Sequence, residues 1–275
     1  MSTGPPSSES RRRRIPGSAV AAPRWAVVLA AVGAMQAPAV LADEAFSLQS
    51  LAAASKFGAL ATFTTNYFYR GYSKSDNRPT VRGNLDYEHE SGFFGGAWLS
   101  WIDFGDGDYP GHSDLEFYPY IGFSHEIDDA FRAEITVSRY IFNDRVFGEY
   151  SDYNDYSLAL HFRDIASARV YFADNAYHRG EPFTTVELAG RYPVIESVEF
   201  SAGAGYNAAQ AVLEYDSAYW HAGFTWYWSR LAFDFRYIDS AYVSGVESEQ
   251  RITARHEFEL MLPDPKFMFS LTAGY

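Results

Sequence analysis

The side chains that could carry out catalysis do not stand in a catalytic pattern. The chain has seven histidines and no cysteine, which excludes a thiolate nucleophile and a disulfide. His112-Ser113 lies in a polar stretch that lacks the context of a serine nucleophile, and no Gly-x-Ser-x-Gly motif occurs. A serine hydrolase needs a serine, an orienting histidine and a third polar group within reach. We therefore expect no enzymatic activity and no cofactor.

One polar stretch is rich in carboxylates that resemble metal ligands. It contains Asp103, Asp106, Asp108 and Asp114. Carboxylate oxygens suit calcium, but the spacing misses the twelve-residue loop that ends in a glutamate. We interpret these residues as a solvated loop and predict no metal site.

Charged side chains recur at every second position of otherwise apolar segments. Arg82 and Asp86, for example, alternate with Val81 and Leu85. A period of two puts the polar and apolar side chains on opposite faces of a strand. A charged inner face could line a water-filled path and set its ion preference. The candidate pore-lining residues are Arg82, Asp86, Glu116, Arg132, Glu134, Arg163, Glu187, Arg191, Glu199, Asp234 and Arg236. A candidate acidic mouth consists of the loop residues Asp106, Asp108, Glu247 and Glu249.

This alternation runs through most of the chain from about Gly58 onward, and no helical period competes with it. The predicted strands lie near 58–72, 80–90, 93–104, 114–126, 130–142, 155–163, 167–174, 183–192, 197–206, 218–228, 231–239, 251–262 and 266–275. A high content of aromatic residues, 18% of the chain, also favours strands.

A soluble sandwich would show the same alternation, but three further features favour a membrane barrel. Short connections such as Asp128-Asp129 interleave with long polar loops such as 143–154, as in outer-membrane barrels. Tyrosines and tryptophans crowd the strand ends, where amphipathic rings suit a membrane interface. The last segment, 267–275, alternates apolar residues on one face and ends in Tyr275.

The strand count is ambiguous because the segments above number thirteen. Single-chain bacterial barrels have an even number of strands. The segment around Pro263-Asp264-Pro265 interrupts the final region, so 251–275 could hold one spanning strand and an irregular piece. We predict an all-β, antiparallel up-and-down transmembrane β-barrel of 12 strands, with 14 as the alternative.

The first 42 residues resemble a secretory signal peptide. A basic block at Arg11–Arg14 precedes the apolar run Trp25–Leu41, and small residues precede a cut after Ala42. Gln36 and Pro38 interrupt a run that is already too short to span a bilayer comfortably. We expect residues 1–42 to be removed, 43–57 to form a periplasmic segment, and 58–275 to form the barrel in the outer membrane of a Gram-negative cell.

The charge of the remaining chain is strongly negative. Residues 1–42 hold five arginines and one glutamate, so the other 233 residues carry 17 basic and 34 acidic side chains. Binding to phosphate backbones needs a basic face, so nucleic acid is excluded as a partner. The expected partners are outer-membrane lipid and lipopolysaccharide, with the barrel assembly machinery during insertion.

Several motifs resemble the TorF family of porins. They are Asn66-Tyr67-Phe68-Tyr69-Arg70-Gly71-Tyr72-Ser73, Gly83-Asn84-Leu85-Asp86-Tyr87-Glu88-His89, Ser91-Gly92-Phe93-Phe94-Gly95-Gly96-Ala97-Trp98 and Glu116-Phe117-Tyr118-Pro119-Tyr120-Ile121-Gly122. The resemblance is strongest over 58–125, and the chain departs from the family by adding the piece from Pro263 to Tyr275. It implies an outer-membrane barrel with passive transport, and neither catalytic residues nor a defined substrate.

Two functions follow from the residues. In the first, the barrel is a porin-like channel for passive diffusion of small solutes or ions, and Gly203, Gly205 and Gly223 leave space in its lumen. In the second, the wall charges pair and fill a narrow interior, and the barrel is structural or adhesive without transport.

The leader makes the first testable prediction. Mass spectrometry of the protein recovered from outer membranes should give Asp43 as the first residue, because the cut after Ala42 follows small residues behind an apolar core. Recovery of an intact 1–42 segment would contradict the assignment.

Overall fold

The fold is a closed antiparallel β-barrel. The computed structural model describes residues 57–245, 260 and 262–274. The wall strands are β1 (Phe57–Thr64), β4 (Thr80–Glu88), β5 (Phe93–Trp101), β6 (Leu115–Glu126), β7 (Phe131–Phe142), β8 (Tyr153–Phe162), β9 (Ala166–Ala173), β10 (Phe183–Ile195), β11 (Val198–Ala208), β12 (Tyr215–Trp228), β13 (Leu231–Gly245) and β14 (Lys266–Gly274). Each wall strand pairs with the next wall strand along the chain, so that β1 pairs with β4, and β1 also pairs with β14 to close the ring. The prediction of 12 strands is confirmed and the alternative of 14 is wrong.

Two predicted strands differ from the structure. The wall strand expected at 58–72 ends at Thr64, and the chain then forms the two short strands β2 (Phe68–Tyr69) and β3 (Tyr72–Ser73). The strand expected at 251–262 falls mostly outside the described residues; Leu260 and Leu262 are described and are not in a strand. β13 pairs directly with β14, so the ring of 12 is complete without a further strand.

The connections define two ends of the barrel. The short-turn end carries tight turns, for example between β8 and β9, while the long-loop end carries the segments 102–114, 143–152, 174–182 and 209–214. A single 3-10 turn (Ala176–His178) and a four-residue helix α1 (Gln210–Leu213) lie in these loops. The part of the chain that the structure describes contains no helix long and apolar enough to cross a bilayer.

The two faces of the wall differ in polarity as the alternation predicts. Outward side chains are apolar and exposed, for example Ile121 at 62% and Leu188 at 61% of their surface. Inward neighbours such as Glu116 and Glu187 are buried. An apolar outside and a polar inside are what a barrel in lipid requires, since hydrocarbon surrounds the outer face.

The seam between β1 and β14 is joined by side chains as well as by the backbone ladder. The hydroxyls of Thr62 and Thr272 lie 3.0 Å apart, and Ser270 donates to Thr64 at 3.0 Å. Such cross-strand polar pairs hold the register of facing strands.

The orientation of β11 makes a second prediction. Ala202 lies on the outer face near the middle of the strand, while its neighbour Ser201 is buried inside. A charge at the midplane of an outer face costs roughly 2–4 kcal/mol. Ala202→Arg should lower the free energy of unfolding in lipid by that amount, whereas the matched control Ala202→Leu should leave it nearly unchanged. Equal losses for both substitutions would mean that this position does not face lipid.

Candidate functional site

The first connection of the barrel folds into the lumen. Thr64 and Thr80 are paired across β1 and β4, so residues 65–79, called here the inserted hairpin, form an insertion between adjacent wall strands. Its strands β2 and β3 pair through Tyr69 and Tyr72. Aromatic residues follow one another here without alternation, and their side chains are buried inside the barrel. This is the reason why the segment does not continue the wall.

One position at the tip of the inserted hairpin, Gly71, has no room for a side chain. Arg70 and Gly71 both have positive φ, +43° and +88°, which is the geometry of a tight two-residue hairpin turn. A Cβ on Gly71 would lie 2.9 Å from the Tyr219 ring on β12. Asn207 donates to the Arg70 carbonyl at 2.8 Å, and Ser240 donates to the Gly71 carbonyl at 2.8 Å. The tip is therefore held against β11, β12 and β13.

Two cations of the inserted hairpin form buried ion pairs with wall strands. Lys74 Nζ donates to Glu116 on β6 at 2.7 Å, and Arg70 pairs with Asp155 on β8. Lys74 Nζ also lies 3.6 Å from the centroid of the Tyr69 ring. Removing one partner of a buried pair leaves an uncompensated charge and costs roughly 3–5 kcal/mol.

Tyrosine hydroxyls complete the attachment of the inserted hairpin. Tyr67 donates to Glu116 at 3.0 Å, and the hydroxyls of Tyr69 and Tyr140 on β7 lie 2.8 Å apart. The Tyr72 hydroxyl lies 3.1 Å from Ser217 on β12. Because these contacts reach opposite sides of the wall, the hairpin crosses the lumen in its long-loop half.

The short-turn half contains a second buried charge cluster. Arg236 donates to Asp234 through Nε at 2.7 Å and to Ser201 at 3.1 Å, and its Nη1 lies 2.7 Å from His221 Nδ1. Thr225 donates to Asp234 at 2.7 Å. Arg236 and its three partners lie on β11, β12 and β13, so the cluster is local to one side of the wall.

The expectation that Gly203, Gly205 and Gly223 leave open space is wrong. A Cβ on Gly203 would meet the His221 ring, one on Gly205 would meet the Tyr219 ring, and one on Gly223 would meet Arg236. The space beside each glycine is occupied by a large side chain from the neighbouring strand. These glycines therefore allow inward packing.

A third cluster lies on β7, β8 and β9. Glu134 accepts from Arg132 at 3.1 Å and from Arg169 at 3.5 Å. Arg132 also reaches Asp164 at the short-turn end, 3.4 Å away. His161 Nε2 lies 3.8 Å from Glu134.

The predicted pore-lining residues fall into three groups. Arg163 does not line the lumen: β8 ends at Phe162, and Arg163 stands exposed in the turn with φ +48°. Arg191 and Glu199 lie near the short-turn end and are partly exposed. The remaining eight face the interior and are buried: Arg82, Asp86, Glu116, Arg132, Glu134, Glu187, Asp234 and Arg236.

The predicted acidic mouth is only partly present. Asp106 is buried and accepts the Phe147 backbone N–H at 2.7 Å, so it fastens one loop to another. Burial raises the pKa of the Asp106 carboxyl, and this hydrogen bond offsets part of the rise. Asp108 is exposed, and Glu247 and Glu249 lie outside the described residues. No group of three or more metal-ligating side chains occurs within residues 57–245, 260 and 262–274.

Sequence reasoning missed the cations Arg70 and Lys74, which form the ion pairs between the inserted hairpin and the wall. The segment 58–72 was expected to be one wall strand. The available signal was the loss of alternation after Thr64, where Tyr67, Phe68 and Tyr69 follow in succession ahead of Arg70-Gly71.

The fold matches solved structures of porins. A KdgM porin matches with a TM-score of 0.50 at 6% identity, over 79% of this chain and 99% of the porin. A NanC porin matches with a TM-score of 0.45 at 8% identity, over 79% and 97%. OccAB1 of Acinetobacter baumannii matches with a TM-score of 0.43 at 7% identity, over 81% and 65%. At 6% identity, the match to the KdgM porin shows a likeness of fold alone.

No curated protein matches the chain in sequence. One family model does, that of the bacterial proteins of unknown function called Gcw_chp, and it covers residues 49–275. By this match, which extends over most of the sequence, the chain belongs to the Gcw_chp family.

Proposed function

We propose that this chain is a narrow outer-membrane channel for passive diffusion of ions or small solutes, and that the inserted hairpin forms its constriction. One observation carries the proposal: a polar hairpin crosses a charged lumen and is attached to the wall by ion pairs and hydroxyl contacts. The wall residues that line this path are the eight buried inward-facing ones, among them Arg82, Glu116 and Glu187.

The chemistry of the interior favours a hydrated lumen. Both carboxylate oxygens of Asp86, one oxygen of Glu88 and the Thr136 hydroxyl have no hydrogen-bond partner within the described chain. A carboxylate removed from water without a partner costs several kcal/mol. Such groups are compatible with an interior that water enters, and they would be unfavourable in a dry structural core.

The second candidate is a structural or adhesive barrel without transport. The observation in its favour is the pairing of wall charges, since Glu134 pairs with Arg169, and Arg236 pairs with Asp234, with little exposed surface. The two candidates differ in whether correctly folded protein conducts.

The surroundings proposed for the barrel follow from its outer face and from the sequence motifs. We assign the long-loop end to the cell exterior, lipid and lipopolysaccharide to the apolar outer face, and the barrel assembly machinery to insertion. Within the Gcw_chp family, the motifs at 66–73 and 91–98 support a place in the TorF group of porins.

The inserted hairpin provides the direct test. Because Thr64 and Thr80 are paired, residues 65–79 can be replaced by a two-residue Asn-Gly turn without changing the wall. The native protein in planar bilayers should give small conductance steps, and the shortened variant should give steps several-fold larger. Glu116→Gln with Asp155→Asn keeps the hairpin but removes its two ion-pair partners, and it should give unstable steps of intermediate size.

Folding is checked in each variant by heat-modifiable migration on gels. If the native protein and the shortened variant are both silent although folded, the channel is rejected in favour of the structural barrel.

The charge of the exposed loops gives a separate prediction for the same channel. Carboxylates at an entrance concentrate cations, and salt weakens this effect. Asp108→Asn, Glu247→Gln and Glu249→Gln together should reduce a weak cation preference, measured by reversal potential at low salt, without reducing conductance. Asp106→Asn is the matched control, since Asp106 is buried in a loop contact. An unchanged reversal potential in the triple variant would refute the acidic mouth.

A further inference from the structure

Three side chains on the lumen face of β4 carry acceptor oxygens that have no hydrogen-bond partner within the described residues. Asn84, Asp86 and Glu88 occupy alternate positions of the strand, so they point to the same side. Asp86 is only 6% exposed and neither of its carboxylate oxygens has a hydrogen-bond partner; Asn84 is 3% exposed and its Oδ1 has none. One oxygen of Glu88 is in the same state. The row therefore offers two carboxylates and a carbonyl oxygen without a donor.

Both cross-strand partners of Asp86 are glycines, so no side chain stands beside it on either neighbouring strand. Asp86 is paired with Gly58 on β1 and with Gly96 on β5. The Tyr120 ring of β6 lies over Gly96: a Cβ built there would be 2.6 Å from the Tyr120 hydroxyl. That hydroxyl lies 3.3 Å from Asn84 Nδ2. The carboxylate is therefore bordered by the ring of Tyr120.

Two lumen-facing arginines, Arg82 and Arg132, make their hydrogen bonds to groups other than Asp86, and Arg82 Nη1 has no hydrogen-bond partner within the described residues. The Arg82 guanidinium stacks 3.8 Å from the Tyr67 centroid, and its Nε donates to Ser100 at 2.9 Å. Arg132 donates to Glu134 and reaches Asp164. Neither guanidinium donates a hydrogen bond to Asp86, both of whose carboxylate oxygens have no partner among the described residues.

The long-loop half of the same lumen shows which group satisfies such an arrangement. There the Lys74 ammonium donates to the Glu116 carboxylate at 2.7 Å and lies over the rings of Tyr69 and Tyr140, 3.6 and 4.3 Å from their centroids. A carboxylate beside tyrosine rings is thus completed by a primary ammonium, through charge-assisted hydrogen bonding and cation–π attraction. Asp86 and Tyr120 repeat the anionic and aromatic parts without the cation.

We propose that Asn84, Asp86 and Glu88, with the ring of Tyr120, form a binding site for the primary ammonium group of a small organic cation in the short-turn half of the lumen. The site rests on the proposed function in one respect, because it would make amines the preferred solutes of the channel.

The test measures binding to the full-length folded protein in detergent, which does not depend on conduction. Calorimetric titration with butylammonium chloride should show saturable binding, and neutral butanol and sodium chloride at equal concentration should show none. Asp86→Asn should weaken butylammonium binding about tenfold, or about 1.4 kcal/mol, because it removes a charge-assisted hydrogen bond. Glu88→Gln should weaken it by a smaller factor.

Glu126→Gln is the matched control. It removes one carboxylate near the same end of the barrel, from an exposed position on β6. Unchanged affinity in Asp86→Asn, or an equal loss in Glu126→Gln, would overturn the site. Equal binding of sodium and butylammonium would overturn its preference for organic cations. Saturable binding by a protein that is silent in bilayers would leave the site in place and reject only the channel.

Discussion

Closure of β1 onto β14 is the constraint on which the rest of the molecule depends. In a lipid environment every backbone N–H and C=O must find a partner within the protein, and an open sheet edge has none. The pairing of Leu60–Thr64 with Ser270–Gly274 removes both edges at once. Closure then divides all side chains into two populations, one that meets lipid and one that shares a narrow interior.

The interior combines charge with small residues. Buried arginines and carboxylates are tolerated because they meet in local groups, as in the contacts of Glu134 with Arg132 and Arg169. Room for these long side chains comes from positions without a Cβ, such as Gly223 beside Arg236. The row on β4 departs from this rule, since its flanking glycines leave a carboxylate bordered by an aromatic ring.

The sequence predicts the wall well, and it fails where the pattern stops being periodic. Alternation over β4, β6, β11 and β12 is a local property, so strand positions and the inward orientation of residues such as Asp234 could be derived from it. Whether a glycine leaves a void depends on the rotamer of a neighbour on another strand, so the filling by His221 could not be derived. The inward fold of residues 65–79 depends on partners such as Ser240, which lies 169 residues from Gly71. The position of Arg163 was missed because turn boundaries vary by one or two residues.

The base of the inserted hairpin contacts β14, the last strand of the barrel. The Thr65 N–H donates to the Phe269 carbonyl at 2.9 Å, and Lys266 contacts Asn77, so the hairpin and β14 complete each other. Neighbouring wall strands pair through contacts that are close in sequence. The contacts of the hairpin with β14 instead join residues about 200 positions apart, so forming them costs the most loop-closure entropy. The order of assembly is therefore built into the topology: enclosure of the hairpin and sealing of the ring are the same final event.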